Sequence, residues 1–182
     1  MEESAMNNKG LTHIYYGNGK GKTTAALGLA IRAAGCGKAV VIVQFLKDWK
    51  CGEFDSLRHI PNITVIRGSD IGGGFVRDMS EKDKLDLAEK YNENLSAALK
   101  LQAEGKCEML ILDEALDAYA LGVLDQALFE DLLENKPEAV ELVITGHMAD
   151  EKILDYAHYI TQMVKHKHPY DDGTQARRGV EF

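Results

Sequence analysis

Residues 13–30, HIYYGNGKGKTTAALGLA, constrain the fold of this 182-residue chain more than any other stretch. β-Branched and aromatic residues lead into a glycine-rich segment, and an Ala- and Leu-rich run typical of a helix follows it. A strand, a glycine loop and a helix in this order form a phosphate-binding loop. The usual pattern places its first glycine at position 16, where Tyr16 stands, so the predicted loop begins at Gly17 and is one residue short.

Two side chains at the end of this loop have defined chemistry in a nucleotide site. Lys22 can reach the outer phosphates, and the hydroxyl of Thr23 can ligate Mg²⁺. Lys20 adds a cation inside the loop. A glycine-rich turn that binds nothing is the alternative, but strand, glycines, Lys-Thr pair and helix together favour phosphate binding.

The remaining pattern alternates strands and helices. Further strands are predicted at residues 39–45, 63–67, 108–114, 139–145 and 159–164, and further helices at residues 80–104, 126–134 and 151–157. Continuous apolar runs such as AVVIVQF suit strands that are covered on both faces of a parallel sheet. The sequence therefore predicts a single α/β domain over residues 1–182, with the three-layer fold of phosphate-loop NTPases and a mainly parallel sheet.

Smaller features complete this prediction. Residues 1–10 are expected to be flexible, residues 72–74 to form a glycine loop, and residues 165–182 to form an irregular tail. Ser80 with Asp83 is expected to cap the long helix. The predicted buried face of that helix comprises Leu85, Ala88, Tyr91, Leu95, Ala98 and Gln102.

The segment LILDE predicts a second part of the nucleotide site. Asp113 and Glu114 follow an apolar strand, and carboxylate oxygens are the ligands that Mg²⁺ prefers. Two acids that merely cap the next turn are the alternative, and the loop upstream favours the metal role.

Charge and cysteine content exclude several classes of protein. A net charge of −8 argues against general nucleic-acid binding, which needs a basic face. Apolar runs are too short for a membrane span, and the N-terminus lacks the apolar core of a secretion signal. Cys36, Cys51 and Cys107 are far apart and odd in number, which predicts reduced thiols in a cytoplasmic protein.

Four stretches carry a resemblance to a known family. GNGKGKTTAALGLAIRAAGCGKAVVIVQFLK, the strings LILDE and VITG, and the ending VKHKHPYDDGTQARRGVEF resemble the corrinoid adenosyltransferases of the bacterial cobalamin pathway. The resemblance spans residues 11–182. It implies transfer of the 5′-deoxyadenosyl group of ATP to the Co(I) of a corrinoid, with release of triphosphate, in adenosylcobalamin synthesis or salvage. A shortened phosphate loop belongs to the pattern of this family.

The resemblance also implies roles for particular residues. Those matching the triphosphate contacts are Asn18, Gly19, Lys20, Gly21, Lys22, Thr23 and Thr24. Arg32 matches an ATP-contacting arginine, Glu114 matches a glutamate linked to Mg²⁺, and Phe75 matches an aromatic residue beside the corrin. His147 stands where the family often has a phosphate-holding arginine. The resemblance further implies a homodimer and makes a flavoprotein reductant plausible.

Two other functions remain open at this point. A phosphate-loop small-molecule kinase would use the same Lys22 and Thr23, but it usually needs a lid with several arginines, and residues 105–146 contain no such cluster. A non-catalytic nucleotide-switched binding module would need no second substrate. The sequence offers no persuasive Ser-His-Asp or Cys-His arrangement, which fits a reaction in which Co(I) is the nucleophile.

Overall fold

Strands and helices alternate along the chain in the computed structural model, which describes residues 9–47, 51–68 and 76–181. The strands are β1 (Thr12–Tyr16), β2 (Val40–Gln44), β3 (Ile63–Arg67), β4 (Met109–Asp113), β5 (Glu141–Gly146) and β6 (Tyr159–Gln162). The α-helices are α1 (Lys22–Gly35), α2 (Gly52–Leu57), α3 (Glu81–Ala103), α4 (Ala115–Ala120), α5 (Gln126–Asn135) and α6 (Glu151–Leu154). Short 3₁₀ helices cover Val76–Asp78 and Pro169–Asp172.

The six strands form one sheet in the order β3-β2-β4-β5-β1-β6, and every strand pairing in the described part of the chain is parallel. Parallel strands bring their carboxyl ends to one edge of the sheet, so the residues that follow β1, β2, β4 and β5 lie near one another. The predicted α/β fold with a parallel sheet is confirmed.

Helices cover both faces of this sheet. Val41 and Val43 of β2 belong to an apolar cluster that includes side chains of α3, α4 and α5. Val40 and Ile42 belong to a second cluster that includes side chains of α1 and α2. Both sets are at most 1% exposed, because alternate residues of a strand point to opposite faces. The continuous apolar run therefore reflects a three-layer structure, as predicted.

Differences from the sequence prediction are confined to short helices and to one helix face. Helices α2 and α4, of six residues each, were not predicted. In α3 the prediction that Leu85 is buried is wrong: Leu85 is 71% exposed, whereas Leu87 is buried. Leu87 lies one helical turn before Tyr91 and so shares its face, whereas Leu85 is about 120° away from it. Ser80 caps α3 as predicted, since its side chain accepts a hydrogen bond from the Asp83 N–H.

The N-terminal segment, the cysteines and the helix lengths can also be compared with the sequence predictions. Of the segment expected to be flexible, residues 1–8 lie outside the described residues, while Gly10 is buried and its N–H donates to Glu138 O at 2.7 Å. All three cysteines are free thiols, with Cys36 exposed and Cys51 and Cys107 buried. Among the described helices, none combines the length and apolar character needed to cross a bilayer.

Candidate active site

The loop between β1 and α1, residues 17–21, needs its glycines for conformation and for space. Gly17 and Gly21 have φ values of 115° and 114°. A Cβ atom on Gly17 would lie 2.4 Å from Met163 O, and one on Gly19 would lie 2.8 Å from the same oxygen. The Gly19 N–H donates to Met163 O at 2.7 Å, and the Gly17 N–H donates to His147 O at 3.0 Å. The shortened loop is therefore held tightly against the segments that follow β6 and β5.

Lys22, the first residue of α1, folds back over this loop. Its Nζ donates to Gly17 O at 2.8 Å and to Gly19 O at 2.9 Å, and the side chain is buried. The first N–H groups of an α-helix have no intrahelical acceptor and carry partial positive charge. The ammonium group and the start of α1 thus converge on the loop, which is the arrangement that binds phosphate oxygens.

Asp113, the last residue of β4, is 1% exposed and accepts four hydrogen bonds. Its Oδ1 accepts from the hydroxyls of Thr23 at 2.9 Å and Thr145 at 2.8 Å. Its Oδ2 accepts from Gln44 Nε2 at 3.0 Å and from Lys47 Nζ at 3.1 Å. Hydrogen bonds to the charged form of a carboxylate offset the cost of burying it.

Glu114, the residue after Asp113, has an unusual backbone conformation. Its φ of 61° is in the left-handed region, and its N–H donates to Thr145 Oγ1 at 2.9 Å. Its Oε1 lies 3.1 Å from Lys47 Nζ. Burial raises the pKa of the Glu114 carboxyl, the attraction of Lys47 partly opposes this rise, and the net pKa is above the usual value.

Lys47, just after β2, completes a carboxylate cluster, by which we mean Thr23, Lys47, Asp113 and Glu114. Its Nζ donates to Thr23 Oγ1 at 2.8 Å in addition to its two carboxylate contacts. The side chain is 18% exposed. Burial lowers the pKa of Lys47, but the attraction of Asp113 and Glu114 outweighs it, so that the net pKa is raised.

The carboxylate cluster fits a magnesium ion by its chemistry. A hydroxyl oxygen and two carboxylates are hard oxygen ligands of the kind that Mg²⁺ takes. A positive group, the Lys47 ammonium, already lies within 3.1 Å of oxygens from Thr23, Asp113 and Glu114. Thr23, Asp113 and Glu114, the metal ligands that the sequence predicts, could therefore hold such an ion.

His147, directly after β5, lies beside this cluster. Its backbone N–H donates to Asp117 Oδ2 at 2.8 Å, and its ring Nδ1 is 3.3 Å from the Asp117 carboxylate and 3.9 Å from Glu114 Oε2. These three side chains each offer a ligand atom within 4.8 Å of the others. A pocket of about 350 Å³ borders His147 and the loop, and its lining includes Tyr16, Gly17, Asn18, Gln162 and Val164.

Other predicted site residues lie apart from the cluster. Lys20 Nζ donates to Glu181 Oε1 at 2.8 Å and to Val180 O at 3.3 Å, so it contacts the C-terminal tail. Asn18 Oδ1 accepts from the N–H of Lys165 at 2.9 Å.

Two further predicted site residues, Thr24 and Arg32, lie at different points along helix α1. Thr24 is exposed in its first turn, whereas Arg32 is exposed ten residues beyond Lys22, about 15 Å along the axis. The structure thus brings together the loop glycines, Lys22, Thr23, Asp113, Glu114 and His147, and leaves Arg32 apart. Phe75 lies outside the described residues.

Four polar residues of this site were missed by the sequence analysis: Gln44, Lys47, Asp117 and Thr145. Three of them end or follow predicted strands, and ligands of open parallel sheets bind at the carboxyl ends of the strands. That rule, applied to β2 and β5 as well as to β4, was the signal available in the sequence.

Comparisons with known proteins place the chain in a family. Residues 8–182 match the model of the family described as ATP:corrinoid adenosyltransferase BtuR/CobO/CobP. The chain is 31% identical to the corrinoid adenosyltransferase of Escherichia coli (strain K12) over 98% of this chain and 88% of that protein. It is 33% identical to the corrinoid adenosyltransferase of Sinorhizobium sp over 96% of this chain and 81% of that protein. Among solved structures, the Aeropyrum pernix ORC2 protein (ADPNP-ADP complexes) aligns over 91% of this chain and 45% of that chain at 17% identity with a TM-score of 0.43, a weak likeness. Together with the loop and the fold, the full-length match shows that the chain belongs to the ATP:corrinoid adenosyltransferase family.

Proposed function

We propose that this protein transfers the 5′-deoxyadenosyl group of ATP to the Co(I) of a corrinoid and releases triphosphate. Membership of the ATP:corrinoid adenosyltransferase family supports the reaction class. The observation that carries the residue-level proposal is the shortened loop: Lys22 lies over it, and the next residue, Thr23, donates to Asp113 of the carboxylate cluster. This arrangement is suited to holding a chain of phosphates that departs as a single unit.

The proposed step balances without a nucleophile or base from the protein. The electron pair of Co(I), the substrate metal, forms a bond to the ribose C5′ of ATP. The bond between C5′ and the α-phosphate oxygen breaks, and its electron pair leaves with the triphosphate. Cobalt is oxidised from Co(I) to Co(III), and no proton has to move at the reacting carbon.

The protein's contribution is to stabilise the leaving triphosphate. The N–H groups at the start of α1 and the ammonium of Lys22 would donate to phosphate oxygens, and donors fixed before the reaction lower its barrier most effectively. Asn18, Gly19, Lys20, Gly21, Thr24, Arg32 and His147 are proposed as further ATP contacts. Mg²⁺ held by Thr23, Asp113 and Glu114 would supply additional charge neutralisation when bound.

The corrin side of the reaction rests on the family resemblance. Phe75 is proposed to lie beside the corrin and to exclude the lower ligand of cobalt, which makes reduction of Co(II) easier. A homodimer, a flavoprotein reductant and a cytoplasmic location are likewise proposed.

Incubation with ATP, Mg²⁺ and chemically reduced cobalamin tests the proposal. We expect the absorption spectrum of the corrinoid to change to that of a species with a cobalt–carbon bond, and omission of ATP should abolish the change. An unchanged corrinoid spectrum, with ATP converted to ADP as its γ-phosphoryl group passes to a second substrate, would instead support the phosphate-loop kinase.

A further inference from the structure

Two residues with an unusual backbone conformation lie in or next to the carboxylate cluster along the chain. Among the described residues that are not glycine, Leu46 and Glu114 have positive φ values, of 57° and 61°. Both follow the carboxyl ends of strands, β2 and β4, that pair directly in the sheet. A left-handed conformation is strained for such residues and persists only where the surrounding structure imposes it.

The turn at Leu46 is held in place on both sides. The N–H of Leu46 donates to the buried hydroxyl oxygen of Tyr91 at 2.7 Å. Arg67 Nη2 donates to the carbonyl oxygen of Lys47 at 2.6 Å. Contacts from α3 and β3 thus fix the backbone of residues 46 and 47, and the Lys47 ammonium meets Glu114 Oε1 at 3.1 Å.

We propose that Lys47 is a resident cation of the nucleotide-free site, which competes with a divalent metal for the oxygens of Thr23, Asp113 and Glu114 and turns to the triphosphate when Mg²⁺ and ATP bind. Only the movement of Lys47 to the triphosphate rests on the proposed function. The competition itself concerns the protein without nucleotide or corrinoid.

The charges of the carboxylate cluster support competition between Lys47 and a metal ion. Asp113 is 1% exposed and the side chain of Glu114 is 12% exposed, so two neighbouring carboxylates are largely removed from water. Such a pair needs a positive group, and Lys47 provides it by direct contact with both. A metal ion that took the same oxygens would meet a cation already in place, and both cannot occupy one position.

The position of the Lys47 ammonium supports its proposed movement to the triphosphate. Lys47 Nζ lies 2.8 Å from Thr23 Oγ1, and Thr23 directly follows the loop lysine Lys22. A lysine side chain has a flexible four-carbon stem, so its ammonium can move to a neighbouring anion while its backbone stays fixed. The released charge would add to that of Lys22 on the leaving triphosphate.

Binding of Mn²⁺ to the protein without ATP tests the inference, with free Mn²⁺ measured by electron paramagnetic resonance. Lys47→Gln removes the ammonium but keeps a polar group, and we expect it to bind Mn²⁺ at least 10-fold more tightly than wild type. Lys90→Gln removes the same charge from a partly exposed position on α3, where Lys90 pairs with Glu93, and should bind as wild type does.

Lys47→Arg keeps the positive charge and should also retain the weak Mn²⁺ binding of wild type. Thermal melting without metal checks the folding of each variant, and Lys47→Ala replaces Lys47→Gln if that protein does not fold. Mn²⁺ binding by the uncharged variant that is no tighter than by wild type would overturn the inference. Because neither corrinoid nor ATP is present, this result is independent of the adenosyl transfer reaction.

Discussion

The turns after β1 and after β2 each place a lysine at the proposed nucleotide site, and they do so in different ways. After β1, Gly17 and Gly21 adopt positive φ values, and Lys22 donates to two carbonyl oxygens of the loop. After β2, Leu46 adopts a strained positive φ, and Lys47 contacts two carboxylates. One lysine is thus bonded to neutral groups and the other to charged ones.

This difference separates the roles of the two side chains. Carbonyl oxygens hold an ammonium less strongly than carboxylates do, so Lys22 can exchange its partners for phosphate oxygens at little cost. Lys47 can leave its carboxylates only when another cation replaces it. Under the proposed function, Lys22 would bind phosphate directly, and Lys47 would couple metal binding to phosphate binding.

Removal of Lys22 should have the largest effect on the reaction. Lys22→Ala should lower kcat/KM by about 10²-fold or more, because one positioned charge on a developing anion contributes about that much. Lys38→Ala, at an exposed position beyond the far end of α1, is the matched control and should keep wild-type activity. Steady-state rates of corrinoid adenosylation measure both. Near wild-type turnover of Lys22→Ala would show that the loop is not the phosphate site.

Neutralisation of Lys47 should have a smaller effect on activity than loss of Lys22. Lys47→Gln should lower kcat/KM for ATP by about 10-fold, which corresponds to the loss of one hydrogen bond to a charged group. Initial rates at varied ATP and saturating Mg²⁺ measure it. A loss as large as that of Lys22→Ala would contradict the difference in role between the two lysines.

Weakening the support of the Leu46 turn should give a still smaller effect. Tyr91→Phe leaves the Leu46 N–H without its acceptor, which should lower the free energy of unfolding by about 1–2 kcal/mol. The looser turn should also lower kcat/KM about 3-fold, about the effect of 0.7 kcal/mol. Denaturant unfolding measures the change in the free energy of unfolding, and initial rates measure the change in kcat/KM.

Tyr119→Phe is the control for Tyr91→Phe. The Tyr119 hydroxyl donates to Glu130 Oε1 at 2.6 Å, so its removal tests a tyrosine hydrogen bond between α4 and α5. Its kcat/KM should equal that of wild type. An equal loss of activity in both variants would show that Tyr91 has no specific role in placing Lys47.

The smallest predicted effect is a pH dependence of stability from Cys107. Burial raises the pKa of this thiol from 9.0 to about 11. Between those pH values the unfolded chain loses a proton that the folded chain keeps, so the free energy of unfolding falls as pH rises. From pH 8 to pH 10 wild type should lose about 1 kcal/mol more than Cys107→Ala does. Equal losses would mean that the thiol ionises equally in both states.

Most of the fold could be predicted because its signals are local. Residue patterns within each segment predicted all six strands. The two loop positions with positive φ, 17 and 21, are both glycines in the sequence. Leu46 carries no such signal, since its left-handed conformation is imposed by Tyr91 and Arg67 from distant parts of the chain. The contacts of Lys47 with Asp113 and Glu114 therefore could not be predicted from the sequence.

Part of the candidate site could be predicted because its signals are also local. Asp113 and Glu114 directly follow an apolar strand, and Lys22 and Thr23 directly follow glycines, so their positions could be derived from neighbours in sequence. Thr145 reaches Asp113 across 32 positions, and Gln44 does so across 69. Such contacts depend on the order of strands in the sheet, which the sequence analysis did not derive.

The phosphorus product of the reaction tests adenosyl transfer most directly. Phosphorus NMR of a mixture of the protein, ATP, Mg²⁺ and chemically reduced cobalamin should show inorganic triphosphate in a 1:1 ratio with the adenosylated corrinoid, since attack at C5′ expels the three phosphates together. Lys22→Ala should form both products more slowly and in the same ratio. ADP formed in proportion to corrinoid turnover would contradict attack at C5′ and would indicate phosphoryl transfer instead.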